Sequence, residues 1–562
     1  MTALLTDNLP LLAGAPNGIK KLRELILELA VRGKLLEQNA DDEAASELLK
    51  QIAEEKTQLI TKGKTREQVS LQEINEAAAP FKAAPGWVWV KLGDISIIER
   101  GGSPRPIKDF ITEDADGLNW IKIGDTDKGG KYITSAGEKI RREGLVKTRM
   151  VYPGDFLLTN SMSFGRPYIT QIEGCIHDGW LRISPPTSLV KDYLYLLLSS
   201  PYVRSFFVQA AAGAVVLNLN ADKVRDLPIP LPPLAEQHRI VAKVDELMAL
   251  CDRLEAQQAD AESAHAQLVQ ALLDSLTQTS DAADFAANWQ RLAEHFHTLF
   301  TTEPSIDALK QTLLQLAVMG KLVPQESSDE PASELLKRIA EEKARLVTED
   351  KIKKQKSLPE IGEEEKPFEL PTGWCWTRLG AIGASATGKT PSTNNSAFFG
   401  GDLPFIGPGQ ITVAGQIGES EKWLTDLARE ETSVVEAGDI LMVCIGGSIG
   451  KCAIADREMA FNQQINSIRV VLADNQYTFC TMTTPAFRAS VWASATGTAT
   501  PIINRSKWDE LLIPIPPLAE QYRIVAKVDQ LKALCDQLKN RLTQARQLNE
   551  QLASTLVEQA VA

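Results

Sequence analysis

The sequence predicts an α+β protein with an internal twofold repeat: two α/β-mixed modules separated by two long antiparallel coiled-coil helices. Three observations carry this. Residues 19–60 return as residues 306–347, with 24 of 42 positions identical at an offset of 287. GWVWVKLGDI at 86–95 returns as GWCWTRLGAI at 373–382. The stretch IPLPPLAEQHRIVAKVDELMALCDRL at 229–254 returns at 513–538 with 21 of 26 positions identical, at an offset of 284. Such a period is far too long for a solenoid and describes two copies of a multi-part unit.

The elements follow in order. Residues 1–84 form a helical segment and linker: Leu22, Leu25, Ile26 and Leu29 recur at helical spacing, and Gly33 offers a stop. A second helix spans 46–59, with Leu48, Leu49 and Ile52 on one face, and a polar linker covers 61–84. The first module occupies 85–234. Its short apolar runs, such as 120–123 and 155–158, are broken by Gly, Pro and Asn and read as strands, with helix after Val190. A proline-rich brake at 228–233 ends it, and a long helix, 235–280, starts at once, because proline is tolerated at a helix start. Residues 281–370 repeat the helical segment and linker, 371–518 the module, and 519–562 the long helix. Ile524, Val528, Leu531, Cys535, Leu538 and Leu542 keep a 4-3 spacing, as do Ile240, Val244, Leu247, Cys251 and Leu254. Two such stripes can bury each other as a coiled coil, with Cys251 and Cys535 as packing residues.

Composition narrows the function classes. The 562 residues carry a net charge of −13. Residues 85–230 hold 18 Lys+Arg against 16 Asp+Glu, and residues 372–514 hold 10 against 13. The modules are thus near neutral and the acid lies on the helices, so a grip on phosphates needs local basic faces or basic partners. No apolar run approaches the roughly 20 residues of a membrane helix, and the first 16 residues lack the pattern of a signal peptide. The seven cysteines form no C-x-x-C, so neither zinc nor a disulfide framework is signalled. The expected compartment is the cytoplasm.

Between the anchors the copies diverge. Gly101-Gly102-Ser103-Pro104 faces Gly388-Lys389-Thr390-Pro391, Gly154-Asp155 faces Gly438-Asp439, Gly213 faces Gly497 and Asn220 faces Asn504. A kept frame with changed contents implies one scaffold with two binding preferences. Drift after duplication is the competing explanation, but it would not spare the helices so selectively.

Two divergent modules, each opening at GWxWxxLG and closing at PPLAEQxRIVAKVD before a long helix, resemble the specificity subunits of type I restriction–modification enzymes over nearly the whole chain. The resemblance implies a non-catalytic subunit in which each module is a target-recognition domain for one half of a bipartite double-stranded DNA sequence. The helices would set the spacer and dock two methyltransferase subunits, optionally joined by two restriction/translocase subunits. AdoMet, ATP and Mg²⁺ would belong to those partners, with no cofactor on this chain. A coiled-coil protein scaffold without DNA specificity is the alternative.

Base edges are read by Arg, Asn and Gln, and phosphates by Lys, Arg, Ser and Thr. The first module offers Arg105, Lys108, Arg141, Arg142, Lys147, Asn160, Ser161 and Arg166. The second offers Lys389, Thr390, Asn394, Asn395, Gln410, Lys451, Asn462, Gln463, Asn504 and Arg505. Each is as well explained as a solvated side chain or turn former. Trp87, Trp89, Trp374 and Trp376 fit the module core, or its join to the helices, better than base stacking. Glu236, Arg239 and Lys243, repeated as Glu520, Arg523 and Lys527, either hold module to helix or receive a methyltransferase subunit. Residues 383–390 match the phosphate-loop pattern G-x-x-x-x-G-K-[ST], but Pro391 follows at once where a helix must begin, and the first copy has no matching Lys. No methyltransferase motif, H-E-x-x-H or nuclease cluster is evident.

Overall fold

The computed structural model describes residues 11–61, 74, 79–127, 129–160, 164–211, 219–279, 282–497 and 499–561. Most of the first linker, Gly213 and Ser161 lie outside the described residues. The chain divides into two units, residues 1–261 with 545–562 and residues 262–544.

The first unit opens with helix α1 (Gly18–Val31) and helix α2 (Ala45–Thr61). α1 stops where Gly33 takes φ 65°, and Lys34 N–H returns to the Leu29 carbonyl at 2.9 Å, a left-handed stop that glycine adopts without strain. The strands of the first module are β1 (Val88–Lys91), β2 (Ile97–Arg100), β3 (Ile111–Thr112), β4 (Leu118–Ile121), β5 (Tyr132–Ile133), β6 (Glu138–Ile140), β7 (Arg149–Val151), β8 (Phe156–Thr159), β9 (Pro167–Thr170), β10 (Gly174–Ile176) and β11 (Trp180–Ser184). Helices α3 (Lys191–Ser199), α4 (Pro201–Ala211) and α5 (Ala221–Arg225) follow, then β12 (Pro228–Leu231) and the long helix α6 (Leu234–Gln278). Two five-stranded sheets form, ordered β3-β6-β4-β10-β7 and β2-β11-β8-β9-β5.

The second unit repeats the plan with α7 (Ala282–Glu294), α8 (Glu303–Val318) and α9 (Ala332–Thr348) ahead of its module. Its strands are β13 (Cys375–Arg378), β14 (Gly383–Thr387), β15 (Phe399–Ile406), β16 (Lys422–Leu424), β17 (Ser433–Val435), β18 (Ile440–Val443), β19 (Cys452–Ile454), β20 (Met459–Phe461) and β21 (Ile465–Val470). Helices α10 (Asn475–Met482), α11 (Pro485–Ser494) and α12 (Arg505–Asp509) precede β22 (Leu512–Ile515) and the long helix α13 (Leu518–Val561). Sheets β14-β21-β18-β19 and β16-β15-β20-β17 match the first module strand for strand, without counterparts of β3 and β5. Both modules share one parallel pair, β4 with β10 and β15 with β20, and the first module adds a second, β5 with β9; the other pairs are antiparallel.

The proline-rich brake proves to be a strand. β12 pairs antiparallel with β1 alone, Val90 opposite Ile229 and Lys91 opposite Pro228. A two-stranded ribbon suits this sequence because Pro228 and Pro230 turn their donorless side away from β1. Their carbonyls on that side are taken by tyrosine hydroxyls, Tyr202 to Pro228 at 2.7 Å and Tyr193 to Pro230 at 2.8 Å. β13 and β22 repeat the ribbon, with Tyr477 donating to the Pro514 carbonyl at 2.9 Å.

Just beyond each ribbon lies a buried lock. Glu236 and Gln237 are 1% and 0% exposed, and so are Glu520 and Gln521. The Glu236 carboxylate accepts from Trp87 Nε1 at 2.8 Å and from Gln38 Nε2 at 3.3 Å. Gln237 donates to the Pro232 carbonyl at 3.0 Å and accepts from Val190 N–H, at the start of α3, at 3.1 Å. In the second unit Glu520 accepts from Trp374 at 3.0 Å and Gln325 at 3.1 Å, while Gln521 joins the Pro516 carbonyl to Asp474 N–H. Arg239 grips Asp42 through both oxygens at 3.1 and 2.5 Å, and Arg523 does the same to Asp329.

The long helices pack together with the short opening helices. In the first unit Ile19, Leu22 and Ile26 of α1 share a core with Ile240, Val244 and Cys251 of α6, while Leu25 and Leu29 meet Ala560 of α13. In the second, Ile306, Leu309 and Leu313 of α8 share one core with Val269 and Leu273 of α6 and with Cys535, Leu531 and Leu538 of α13. The two opening helices of each repeat part company. α2 and α9 belong to module cores: Leu48 and Ile52 lie with Leu92 and Ile95, and Leu335 and Ile339 with Leu379 and Ile382.

Two outcomes are expected. Trp87→Phe keeps an aromatic ring but removes the donor to a buried carboxylate, and that loss alone should cost about 1–3 kcal/mol of stability in denaturant unfolding; an unchanged midpoint would dismiss the lock. The hydrogen bond from Arg239 holds the Asp42 carboxyl below its usual range. That contact therefore stabilises above the ordinary carboxylate pKa and is lost as pH falls through the folded value, so Asp42→Asn should flatten the acid limb of the melting-temperature profile below about pH 4.

Candidate nucleic-acid interface

The two sheets of each module finish their strands at a common end. In the first module Arg100 of β2 faces Leu181, Thr159 of β8 faces Trp180, and Ile121 of β4 faces Ile176 of β10. Gly101 N–H donates to the Trp180 carbonyl and Gly102 N–H to that of Ile176, so this loop stitches the sheets together. The second module repeats the stitch: Gly388 N–H reaches the Ile465 carbonyl at 3.0 Å and Lys389 N–H that of Phe461 at 3.1 Å. Only glycine fits at the crossing, since a Cβ would lie 2.2 Å from the His177 carbonyl oxygen at Gly101 and 2.0 Å from that of Asn462 at Gly388.

A hydroxyl clamp sits beside each stitch. Ser103 Oγ donates to Asp178 Oδ1 at 2.7 Å, and Thr390 Oγ1 donates to Gln463 Oε1 at 2.5 Å. The Ser103 bond holds the Asp178 carboxyl below the usual carboxylate range. Asp178 escaped the sequence reading. Aligning 176–180 with 461–465, an offset of 285, sets it opposite Gln463, and that alignment was the available signal.

Around the clamp of the first module the structure gathers most of the expected cations. A Cβ at Gly102 would lie 2.3 Å from the Lys147 carbonyl oxygen, and one at Gly144 3.5 Å from Pro104. The loop after β2 and the turn Arg142–Lys147 are therefore neighbours. Arg105, Lys108, Arg141, Arg142 and Lys147 are all exposed. Arg105 makes a long contact, 3.5 Å, to Asp178. Asn160 departs from its expected role as a base reader: it is 2% exposed, and its side chain donates to the Asp178 carbonyl at 2.7 Å. Its amide props the loop from within. Arg166 is half-buried and lies over the Tyr168 ring at 5.3 Å.

The same end of the second module is lined by amides. Asn462 donates to Gln464 Oε1 at 3.2 Å, and Gln410 accepts from Gly407 N–H at 3.0 Å. A Cβ at Gly407 would meet Asn462 and Gln410 at 3.3 and 3.4 Å, so both surround one point. Lys389 is neutralised by Glu431 at 2.9 Å. Lys451 ends a loop that abuts residues 501–503 through Gly446 N–H to the Pro501 carbonyl. Asn395 caps the turn Ser396–Phe398, beside exposed Asn394. Asn504 caps α12 by accepting from Lys507 N–H at 3.0 Å, as Asn220 caps α5 from Lys223 at 2.9 Å. That shared structural task explains why both copies keep the asparagine. Arg505 follows in the exposed first turn of α12.

One turn distinguishes the modules electrostatically. Residues 141–149 hold four cations against Glu143, whereas the equivalent 425–433 hold Arg429 against Asp426, Glu430 and Glu431. Arg429 is also tied to Asp426 at 2.8 Å and to Glu458.

The residues read as docking candidates fall into two groups. Glu236, Arg239, Glu520 and Arg523 are engaged within their own units, as described above. Lys243 and Lys527 pair along their helices, with Glu246 at 2.9 Å and Gln530 at 3.3 Å. The phosphate-loop pattern at 383–390 takes another form: Gly383–Thr387 is strand β14, and no helix begins at Lys389-Thr390. Among the described residues no group of three His, Cys, Asp or Glu side chains could hold a metal ion, and no helix is long and apolar enough to cross a membrane.

Comparison with known proteins agrees with this architecture. The model of the type I restriction modification DNA specificity domain matches twice, over residues 85–262 and 371–546. The chain is 37% identical to the type I restriction enzyme EcoAI specificity subunit of Escherichia coli, over 97% of this chain and 94% of the relative. It is 37% identical to the EcoEI specificity subunit of the same species, over the same shares. The duplicated modules, the buried locks at the PPLAEQ signature and these full-length matches together place the chain in the family of type I restriction–modification DNA-specificity subunits.

Proposed function

We propose that each module reads one half of a bipartite duplex DNA target with the loops at the stitched end of its sheets. The two long helices set the spacing between the half-sites and dock two methyltransferase subunits, to which two restriction/translocase subunits can add. On this reading the chain itself performs no chemistry: AdoMet, ATP and Mg²⁺ act on those partners, and the complex works on DNA in the cytoplasm.

The observation that carries the proposal is a single stitched frame bearing two unlike surfaces. A recognition module needs a rigid seat and variable side chains, because positions must hold within about 0.5 Å while base preference changes with the groups displayed. Both copies keep the seat, from the tyrosine-capped ribbon to the glycine stitch. What differs is the display, basic in the first module and amide-lined in the second. Exposed cations suit phosphates, and amides suit base edges.

Replacing residues 85–230 by the corresponding module of another specificity subunit should change one half of the methylated motif and preserve the other, as read by methylome sequencing of cells co-expressing the methyltransferase. A motif altered in both halves would count against independent reading. Changing Arg141, Arg142 and Lys147 together to Gln should lower the salt slope of DNA binding by about 2–3, at roughly 0.9 per phosphate contact. Lys at 141 and 142 should preserve the slope, whereas an unaltered slope in the Gln variant would remove the basic turn from the interface.

A further inference from the structure

The hydroxyl clamp recurs at equivalent places with different heads. Ser103 and Thr390 occupy the same step after the glycine stitch, and their partners Asp178 and Gln463 occupy the same step of the facing loop. The frame positions both alike: the loop carrying Asp178 or Gln463 is the acceptor of the stitch, and the strand that follows it, β11 or β21, pairs with β2 or β14. A clamp serving only to brace the loop would function with the same side chain in both copies. Here the bracing hydroxyl is retained while the group it orients changes from a carboxylate to an amide.

Both heads are accessible. The Asp178 side chain is 48% exposed, and Gln463 is exposed. Thr390 occupies one lone pair of Gln463 Oε1, which leaves the amide N–H pair free of protein partners among the described residues. Asp178 is an acceptor only, and Arg100 and Arg105 contact its carbonyl and carboxylate at 3.3 and 3.5 Å. Those cations offset the repulsion an acid would otherwise feel near phosphate.

We propose that Asp178 and Gln463 are equivalent base-reading residues, each aimed by its clamping hydroxyl, with Asp178 accepting from an exocyclic amino group and Gln463 both donating and accepting. In the major groove the carboxylate matches the N4 amino group of cytosine, and the amide matches N6 and N7 of adenine. Ser103 and Thr390 are positioning residues. This rests on the reading of the stitched end as the DNA-facing surface.

The test is selection from a random-sequence duplex library by the full chain in complex with its co-expressed methyltransferase subunits, followed by sequencing of the bound DNA. Asp178→Asn should change preference at one base pair of the first half-site by about tenfold and leave the second half-site untouched. Gln463→Glu should do the reverse. Ser103→Ala should weaken selection at the same base pair as Asp178→Asn. Variants that enrich the wild-type motif unchanged, or that lose both half-sites together, overturn the assignment. A wild-type complex that enriches no bipartite motif would instead overturn the functional reading beneath it.

Discussion

The bond between a buried carboxylate and a tryptophan N–H organises each unit. Glu236 and Glu520 lie on the first turn of the long helices, are almost fully enclosed, and accept from Trp87 and Trp374 at the module entrance. Burial pushes both carboxyls above their usual range, and the Trp and Gln donors offset only part of that rise. A buried anion is costly unless hydrogen-bonded, so its partners must stay in place. Those partners come from the module entrance and from the stop of the opening helix, while the carboxylate itself sits on the long helix. One carboxylate, through its two donors, therefore couples three segments that are distant in sequence.

Module rigidity follows from that junction. The ribbon of β1 with β12, or of β13 with β22, closes each module on itself next to the lock, and Gln237 or Gln521 carries the constraint into the first module helix. A matched Gly-Asp turn adds a second brace: Asp155 accepts from Arg182 and Ser184, and Asp439 accepts from Arg469. With the frame supported from below, the loops at the stitched end are free to differ. The first module spends that freedom on cations and the second on amides, which explains how a chain of net charge −13 retains a local basic face.

Several features were legible from residues alone, for identifiable reasons. Duplication exposed the frame, because positions bound by internal hydrogen bonds resist change in both copies. Helical spacing located the long helices, since an apolar stripe must be buried. Less was legible wherever one side chain can serve two tasks. Asn160 and Asn504 looked like base readers, and the structure employs one as an internal prop and the other as a helix cap. The proline run looked like a break, yet pairing with β1 makes it a strand, and tyrosine hydroxyls from elsewhere in the chain take its outer carbonyls. Asp178 was not among the expected readers because an acid is an unexpected group beside phosphates.

Sequence by itself determined the twofold plan, since it rests on repetition and periodicity, which are properties of the chain read end to end; the GWxWxxLG and PPLAEQxRIVAKVD motifs carried the resemblance to the family. Tertiary structure alone decided which residues meet: the opening helix against the long helices, the second helix within the module core, and Ser103 beside Asp178 in the first module as Thr390 is beside Gln463 in the second. The physical reason is that hydrogen bonds and packing act over a few ångströms in space, and strand pairing brings together loops some 75 residues apart whose nearness no local pattern records.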